Sequence, residues 1–386
     1  MQSTSSPLRG SLAFTRAGDV SPDPERPGLL RARTIPFDAD PDAVFDVRPC
    51  VLNDCAGGPP AELRLEGAGF ETVDLSSNEP LQAALATVRR QGGVADATAT
   101  ALRAALQDSC LRLDGGRSLR IDHVADDGLI LRLGGPNGLD VNPGGKYGTN
   151  GRSPARNVHA DQDVFGTPLR QLMKGAAPDM FRHRTPDGRN DASAMFLLNL
   201  WIPIDQITRP LVLMDRRTLD AGRHQLRYGL PVDGFLERDE DSSVNDIWTF
   251  LPDDGQKWYF RSSMGPDQGY VFDTLGTPHG ATVLPGEDAL EALYRDLARA
   301  CDAAEAGDAD ALRTIAGARP PALPDVTTEP IRAAWRRMTE LLGEAARPAS
   351  HAGSPTDSWP ARARAAMDAV VRKSIEMRLV ATLVGP

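Results

Sequence analysis

The chain has 386 residues, of which 41% are hydrophobic and 25% are charged, as in an ordinary globular protein with a large core. Its formal net charge of −10, its 5% aromatic content and the lack of a basic stripe argue against a nucleic-acid-binding protein. No apolar run reaches the roughly 18 residues of a membrane-spanning helix, and residues 1–10 lack the apolar core of a signal peptide. We therefore expect a cytoplasmic protein that does not bind membranes.

The N-terminal third combines an irregular arm with strands and helices. Residues 1–45 carry many Pro, Asp and Arg residues and predict an extended N-terminal arm, whereas residues 46–384 predict one large domain. The alternating residues 61–66 predict a half-buried strand. Helical spacing from Leu81 to Leu106 predicts helices, interrupted at Gly92 and Gly93, with an N-cap among residues 76–78, and residues 111–133 predict further strands.

The middle of the chain is rich in predicted strands and loops. Residues 134–157 are rich in Gly, Asn and Pro and predict a loop, which is either a lid over a site or a plain surface loop. The apolar residues 194–204 and 269–274 predict buried strands, and the acidic residues 230–256 predict another loop.

A His and a carboxylate two residues apart are the main chemical signal. On an extended segment His159 and Asp161 point to the same face, because strand side chains repeat every two residues. A distant imidazole, His279, follows the second predicted strand and would complete a 2-His-1-carboxylate group, which leaves three metal positions open. The sequence therefore predicts a non-haem Fe(II) site made of His159, Asp161 and His279, with the ligand order of a double-stranded β-helix.

The C-terminal part predicts helices and one final strand. Residues 285–370 show regular apolar stripes and predict a helical insert that covers the barrel, forms a homodimer interface or contacts substrate. In the strand that follows, Arg372, Ser374, Glu376 and Arg378 share one face. That face is either a solvent-exposed edge or a carboxylate-binding surface, since a guanidinium binds a carboxylate through two parallel hydrogen bonds.

Several short motifs, taken together, resemble the family of the fungal gibberellin desaturase and of one subunit of the cephamycin cephem hydroxylase-methoxylase system. They are residues 61–65 with 69–71, 157–161, 198–204, 210–215, 272–274 with 277–281, and 372–378. Ile202, Leu275 and Gly276 depart from the family pattern near the expected pocket.

The resemblance implies a fold, a set of cofactors and a reaction. The implied fold is α+β with a mainly β core, a double-stranded β-helix (jelly roll) with flanking helices and a C-terminal helical insert. The implied enzyme is a dioxygenase that uses Fe(II), 2-oxoglutarate and O2 to hydroxylate, desaturate or cyclise a small-molecule substrate of specialised metabolism. His159, Asp161 and His279 match the metal positions, whereas Arg372 with Ser374, or Arg378, matches the 2-oxoglutarate anchor.

Two other functions remain open from the sequence, and so does the identity of the anchor. A metal-dependent hydrolase or epimerase would use the same ligands without a carboxylate anchor, and a jelly-roll auxiliary or binding subunit would not be catalytic. If neither Arg372 nor Arg378 holds the co-substrate, Arg261 and Arg295 are the next candidates.

Overall fold

Two β-sheets contain most of the strands in the computed structural model, which describes residues 7–35, 44–126, 128–141, 149–150, 153–155, 157–163, 180–186, 188–205, 207–231, 244–345 and 358–385. The strands are β1 (Arg9–Phe14), β2 (Val20–Pro22), β3 (Leu30–Ala32), β4 (Asp46–Asp54), β5 (Phe70–Asp74), β6 (Cys110–Leu113), β7 (Ser118–Val124), β8 (Ile130–Gly134), β9 (His159–Ala160), β10 (His183–Thr185), β11 (Gly188–Asn190), β12 (Met195–Asp205), β13 (Leu211–Met214), β14 (Gln225–Pro231), β15 (Val244–Phe250), β16 (Trp258–Phe260), β17 (Gln268–Asp273), β18 (His279–Ala281) and β19 (Arg372–Val384).

The helices fall into two groups. The group near the N-terminus and the centre comprises α1 (Leu65–Ala68), α2 (Glu79–Gln91), α3 (Asp96–Leu106) and α4 (Ala221–His224). The C-terminal group comprises α5 (Glu287–Ala306), α6 (Ala309–Ala316), α7 (Glu329–Ala345) and α8 (Trp359–Ala369). Within the described part of the chain, no helix combines the length and the apolar character needed to cross a bilayer.

A ten-stranded sheet has the order β1-β4-β16-β13-β18-β9-β15-β14-β3-β2, and a seven-stranded sheet has the order β12-β17-β5-β6-β7-β19-β8. The long strand β19 also pairs with β12, so the pairings β12-β17-β5-β6-β7-β19-β12 form a closed ring of six strands. Strands β1, β2 and β3 of the predicted N-terminal arm belong to the ten-stranded sheet. The division into an arm and one large domain stays a prediction.

The two sheets separate three apolar clusters, because alternate side chains of a strand point to opposite faces of its sheet. Ala160, Val212 and Trp248 of the ten-stranded sheet pack in one cluster with the C-terminal helices. Leu198 and Met377 of the seven-stranded sheet pack in a second cluster with α2 and α3. The opposite faces of the two sheets meet in a third cluster that contains Phe70, Trp201, Leu211, Leu213, Tyr270 and Phe272. The space between the sheets is thus bounded by two hydrophobic layers.

Within the residues that the structure describes, the predicted strands and helices agree with it except in two places. The predicted strand at residues 61–66 is wrong, because this segment turns and then starts α1, whose end at Gly69 has a left-handed φ of 91°. The acidic segment 230–256 is not all loop, since β15 crosses it and pairs with β14. The helices separated at Gly92 are confirmed, and the Asn78 side chain accepts a hydrogen bond from the Leu81 N–H at the start of α2.

The predicted helical insert folds as helices that pack on the ten-stranded sheet. Their apolar stripes share one buried cluster with strand residues such as Phe14 and Trp258. Within the insert, the buried Trp359 indole of α8 donates a hydrogen bond of 2.7 Å to the Leu341 carbonyl of α7. A homodimer through these helices stays a prediction.

Replacing Trp359 by Ala should lower the free energy of unfolding by about 3–5 kcal/mol, because it leaves a large cavity between α7 and α8. The measurement is chemical denaturation of the full chain. The matched control is Trp335→Ala, since Trp335 is only partly buried and also donates to a carbonyl, that of Pro321. Equal losses in the two variants would contradict the packing of the insert described above.

Candidate metal centre and its surroundings

His159 and His279 are brought together by direct strand pairing. They face each other across the antiparallel pair β9–β18, and their ring centroids are 4.4 Å apart. Asp161 follows β9, and its carboxylate oxygens lie 3.6 Å from His159 Nε2 and 3.7 Å from His279 Nε2. One ligand atom from each residue lies within 4.8 Å of the others, so the three predicted ligands form one group that could hold a metal ion.

Backbone carbonyls fix the orientation of both imidazole rings. His159 Nδ1 lies 2.9 Å from the Asn157 carbonyl oxygen, and His279 Nδ1 lies 3.0 Å from that of Thr277. Each Nδ1 therefore carries the proton and donates it, which leaves the Nε2 lone pair directed at the group. Asp161 Oδ2 is buried and has no hydrogen-bond partner among the described residues. Two imidazole lone pairs and an unused carboxylate oxygen suit a divalent first-row metal.

The segment that carries His279 is held by a close approach of backbone at Gly69. The Thr277 hydroxyl donates a hydrogen bond of 2.9 Å to the Gly69 carbonyl, and a Cβ at residue 69 would lie only 2.3 Å from that hydroxyl oxygen. Gly69 also has a positive φ, which L side chains rarely adopt. The glycine of the 69–71 motif therefore serves to position the Thr277-Pro278-His279 turn.

Arg378 links the two sheets through the proposed metal ligand. Its guanidinium Nη2 lies 2.9 Å from Asp161 Oδ1, and both side chains are largely buried. Burial opposes ionisation of Asp161, but Arg378 and the two imidazoles outweigh it and hold the pKa of this carboxyl well below its usual value. Burial lowers the pKa of His279 to about 4, so its imidazole is neutral near pH 7 and available as a ligand.

Arg372 lies deeper between the sheets than Arg378. It is 1% exposed, its Nη1 donates a hydrogen bond of 2.7 Å to the Arg209 carbonyl, and its Nε and Nη2 lie 3.2 Å from the Ser374 hydroxyl. The guanidinium also lies over the Trp201 ring, 5.5 Å from its centroid. None of the ion pairs between described residues involves Arg372. Burial lowers the pKa of Arg372 to about 9, which still leaves it charged at neutral pH.

The other two polar residues of the β19 face have defined surroundings. Glu376 forms an ion pair with Arg132 of β8, with an Nε–Oε1 distance of 2.6 Å. Burial opposes ionisation of Glu376, yet Arg132 holds the pKa of that carboxyl below its usual value. The apolar residues Ile375, Met377 and Leu379 point the other way, into the cluster with α2 and α3. The predicted polar face is therefore an interior face, and the solvent-edge alternative is wrong.

Glu287, at the start of α5, connects the helical insert to the surroundings of Arg372. Its carboxylate is fully buried and accepts backbone hydrogen bonds from Asn137, Arg209 and Leu284. The Arg209 N–H donates to Glu287, and the Arg209 carbonyl accepts from Arg372. Sequence analysis missed Glu287 and Arg132, because isolated charged residues in the sequence carry no signal of burial.

The remaining candidates lie elsewhere or outside the described residues. Arg295 is exposed, pairs with Glu291 on α5, and lines an open groove of about 700 Å³ whose lining includes none of His159, Asp161 and His279. Arg261 is buried but is not part of the polar face of β19. In the proposed lid at residues 134–157, residues 142–148, 151–152 and 156 lie outside the described residues.

The chain has limited similarity to known proteins. No family model matches it. The hydroxylase/desaturase efuI of Hormonema carpetanum is 31% identical over 122 residues, which cover 30% of this chain and 38% of that protein. The sequence similarity therefore extends over well under half of that relative's length.

Solved structures of an iron and alpha-ketoglutarate-dependent endoperoxidase, NvfI, align with nearly the whole chain at low similarity. One has a TM-score of 0.46 and 13% identity and covers 97% of both chains. Another, in a different conformation, has a TM-score of 0.46 and 14% identity, and covers 98% of this chain and 99% of that one. At this level of similarity, the function has to be inferred from the side chains of this protein.

Replacing either His159 or His279 by Ala should weaken Fe(II) binding by more than about 100-fold, because losing a ligand costs more than losing a group that only orients one. Metal content after anaerobic loading and desalting measures the effect. His224→Ala, a partly buried histidine outside the group, is the control and should keep full occupancy. Full occupancy in the His159 and His279 variants would rule out this metal site.

The metal-free protein should lose stability as the pH falls from about 6.5 to 4. In this window the unfolded chain binds a proton at His279 that the folded protein does not, because the folded-state pKa is about 4. The free energy of unfolding should fall by an amount on the order of 3 kcal/mol. Urea unfolding with a chelator at a series of pH values measures it. His279→Leu should show a shallower fall, and parallel curves would contradict the assignment.

Proposed function

We propose that this protein is a non-haem Fe(II)/2-oxoglutarate-dependent dioxygenase that acts on a C–H bond of a small-molecule intermediate of specialised metabolism. His159, Asp161 and His279 bind the iron, and Arg372 with Ser374 binds the distal carboxylate of 2-oxoglutarate. The observation that carries the proposal is a complete facial ligand group facing the same interior space as a buried guanidinium that lacks a carboxylate partner among the described residues.

The charges between the sheets favour a bound dicarboxylate. The carboxylates of Asp161 and Glu376 are opposed by the guanidinium groups of Arg132, Arg372 and Arg378, so two negative charges meet three positive ones and leave a net of plus one. A divalent metal raises this net charge to plus three, and a doubly charged co-substrate returns it to plus one. Buried charges are costly unless they are paired, so a dianion fits this site.

Arg372 is a better anchor than Arg378 because its charge is not already neutralised. Arg378 is in an ion pair with Asp161, and any carboxylate it bound would compete with the metal ligand. Arg372 has the Ser374 hydroxyl beside it, and a hydroxyl adds a third donor to the two that a guanidinium offers. We infer that Arg378 instead holds Asp161 ionised and oriented for the metal.

Iron bound here would supply the activation of dioxygen and the oxidation of the substrate. The protein's own contribution is the placement of charges in a largely buried space. The Asn157 and Thr277 carbonyls keep the Nδ1 protons on the ligand imidazoles, so that both Nε2 atoms remain available. The apolar layers on both sides of the sheets keep the surroundings at low dielectric, which strengthens each of these interactions.

Other features agree with this proposal. The partial sequence similarity is to a protein described as a hydroxylase/desaturase. The two facing sheets, with the ligands on one and the polar face of β19 on the other, suit the double-stranded β-helix that we infer as the core fold. A hydrolase or epimerase, and equally a non-catalytic auxiliary subunit, would give no reason for a buried Arg372 that has no acidic partner among the described residues.

Replacing Arg372 by Ala should raise the apparent dissociation constant of 2-oxoglutarate by about two orders of magnitude, because the distal carboxylate loses its buried partner. Anaerobic titration of the Fe(II)-loaded protein with 2-oxoglutarate measures it. Arg378→Ala should mainly weaken metal binding, because it removes the charge that faces Asp161.

Arg295→Ala is the matched control and should change neither constant, since Arg295 is exposed on α5. If Arg378→Ala weakens 2-oxoglutarate binding at saturating metal while Arg372→Ala does not, the anchor is Arg378. If neither does, the chain anchors its co-substrate elsewhere or does not use 2-oxoglutarate.

A further inference from the structure

Asn199 is the one fully buried Asn in the described chain whose side-chain amide has no partner at either end. It is 0% exposed, and neither Oδ1 nor Nδ2 has a hydrogen-bond partner among the described residues. It lies in the middle of the apolar strand β12, where Leu198 and Leu200 face the layer of α2 and α3. Because side chains alternate along a strand, the Asn199 amide points into the space between the two sheets.

Strand pairing places Asn199 beside the candidate metal centre. It is directly opposite Arg378 on β19, whose guanidinium contacts Asp161. On its other side it is directly opposite Phe272 on β17, whose ring centroid is 4.5 Å from that of His279. Residues directly opposite in an antiparallel pair have Cβ atoms about 4.5–5.5 Å apart. Asn199 is therefore held between two side chains that each touch a proposed metal ligand.

A buried amide without partners destabilises a folded protein, so its presence needs a reason. The amide offers one acceptor, Oδ1, and two donors on Nδ2. 2-Oxoglutarate at neutral pH has acceptors only, so it could satisfy Nδ2 but not Oδ1. A hydroxyl or an amide group can satisfy both ends, because each carries a donor and an acceptor.

We propose that Asn199 is a substrate-binding residue that recognises a hydroxyl or amide group of the organic substrate close to the carbon that is oxidised. This inference rests on the proposed function, because that function places the reacting carbon next to the metal group. It narrows the substrate class to molecules that carry a combined donor and acceptor near the reactive C–H bond. A site built in this way also rejects analogues that lack the polar group, since these leave the buried amide unpaired.

A first experiment tests whether the amide serves folding or a ligand. Asn199→Leu in the metal-free full chain should raise the Tm by about 1–3 °C, because it replaces an unpaired polar group by an apolar side chain with the same branching and the same number of heavy atoms. Asn78→Leu is the control and should lower the Tm, since the Asn78 amide accepts from the Leu81 N–H and donates to the Ala105 carbonyl. A Tm of Asn199→Leu that falls as far as that of the control would overturn the proposal.

A second experiment uses two small probe molecules in place of the unknown substrate and tests whether they bind next to the metal. The protein is loaded with Mn(II) and 2-oxoglutarate, and the paramagnetic relaxation of the methyl protons of two probes is measured by NMR. Acetamide offers a donor and an acceptor, whereas acetone is of similar size and offers an acceptor only. Wild-type protein should bind acetamide about fivefold more tightly than acetone, as expected for one added hydrogen bond.

Asn199→Leu should abolish this preference. If the Leu variant does not fold, Asn199→Ala is measured in its place. Equal binding of both probes, or a preference that survives the substitution, would overturn the role of Asn199 while leaving the metal site intact. No relaxation effect for either probe, together with Mn(II) binding that is unchanged in His279→Ala, would instead overturn the proposed function itself.

Discussion

The ion pair between Arg378 and Asp161 is the interaction on which the arrangement of the interior depends. It joins the seven-stranded sheet, through β19, to the segment that follows β9 of the ten-stranded sheet. Burial opposes the ionisation of this carboxylate, and the Arg378 guanidinium is the largest of the contributions that lower its pKa. By favouring the charged form of Asp161, Arg378 suits this carboxylate to the proposed role of metal ligand, and the ion pair also links the two sheets.

The same interior contains a second pair and one guanidinium without an acidic partner among the described residues. Glu376 and Arg132 neutralise each other, whereas the contacts of Arg372 among the described residues are a carbonyl, a hydroxyl and an aromatic ring. Alternation along β19 explains how one strand supplies these groups and still packs Ile375 and Met377 against α2 and α3. One face of β19 thus packs in the hydrophobic layer with α2 and α3, whereas the other face carries the polar residues of the proposed site.

The C-terminal helices are connected to this chemistry through the backbone of Arg209. Glu287 of α5 accepts the Arg209 N–H, and the Arg209 carbonyl accepts from Arg372. Arg209 itself has a positive φ of 50°, an uncommon conformation for a residue with a side chain. Burial raises the pKa of Glu287, and Arg209 opposes this rise. The helical insert therefore does more than cover a sheet, because its first turn helps to fix the carbonyl that orients Arg372.

The sequence by itself determined the elements with strong local signals. The two-residue spacing of His159 and Asp161, the continuous apolar run of β12, the alternation along β19 and the amphipathic helices after residue 285 are all local patterns. The two strands and the helices form where these patterns predict them, and His159 and Asp161 lie in one group. The strand predicted for residues 61–66 was wrong. This segment instead forms a turn and a short helix that ends at Gly69, and its alternation is too short to exclude that structure. Local pattern could not decide between these two, since both bury Leu63 and Leu65.

Only the tertiary structure decided what the interior residues face. The sequence offered Arg372 with Ser374, or Arg378, as the co-substrate anchor, and the packing of the sheets pairs Arg378 with Asp161. The strand pairing also places Asn199 between Arg378 and Phe272. The packing of the helical insert buries Glu287, whose carboxylate accepts hydrogen bonds from three backbone N–H groups. These roles depend on contacts between residues far apart in the chain, and the energy of a charge or an amide is set by those contacts. A linear pattern of residue types does not contain that information.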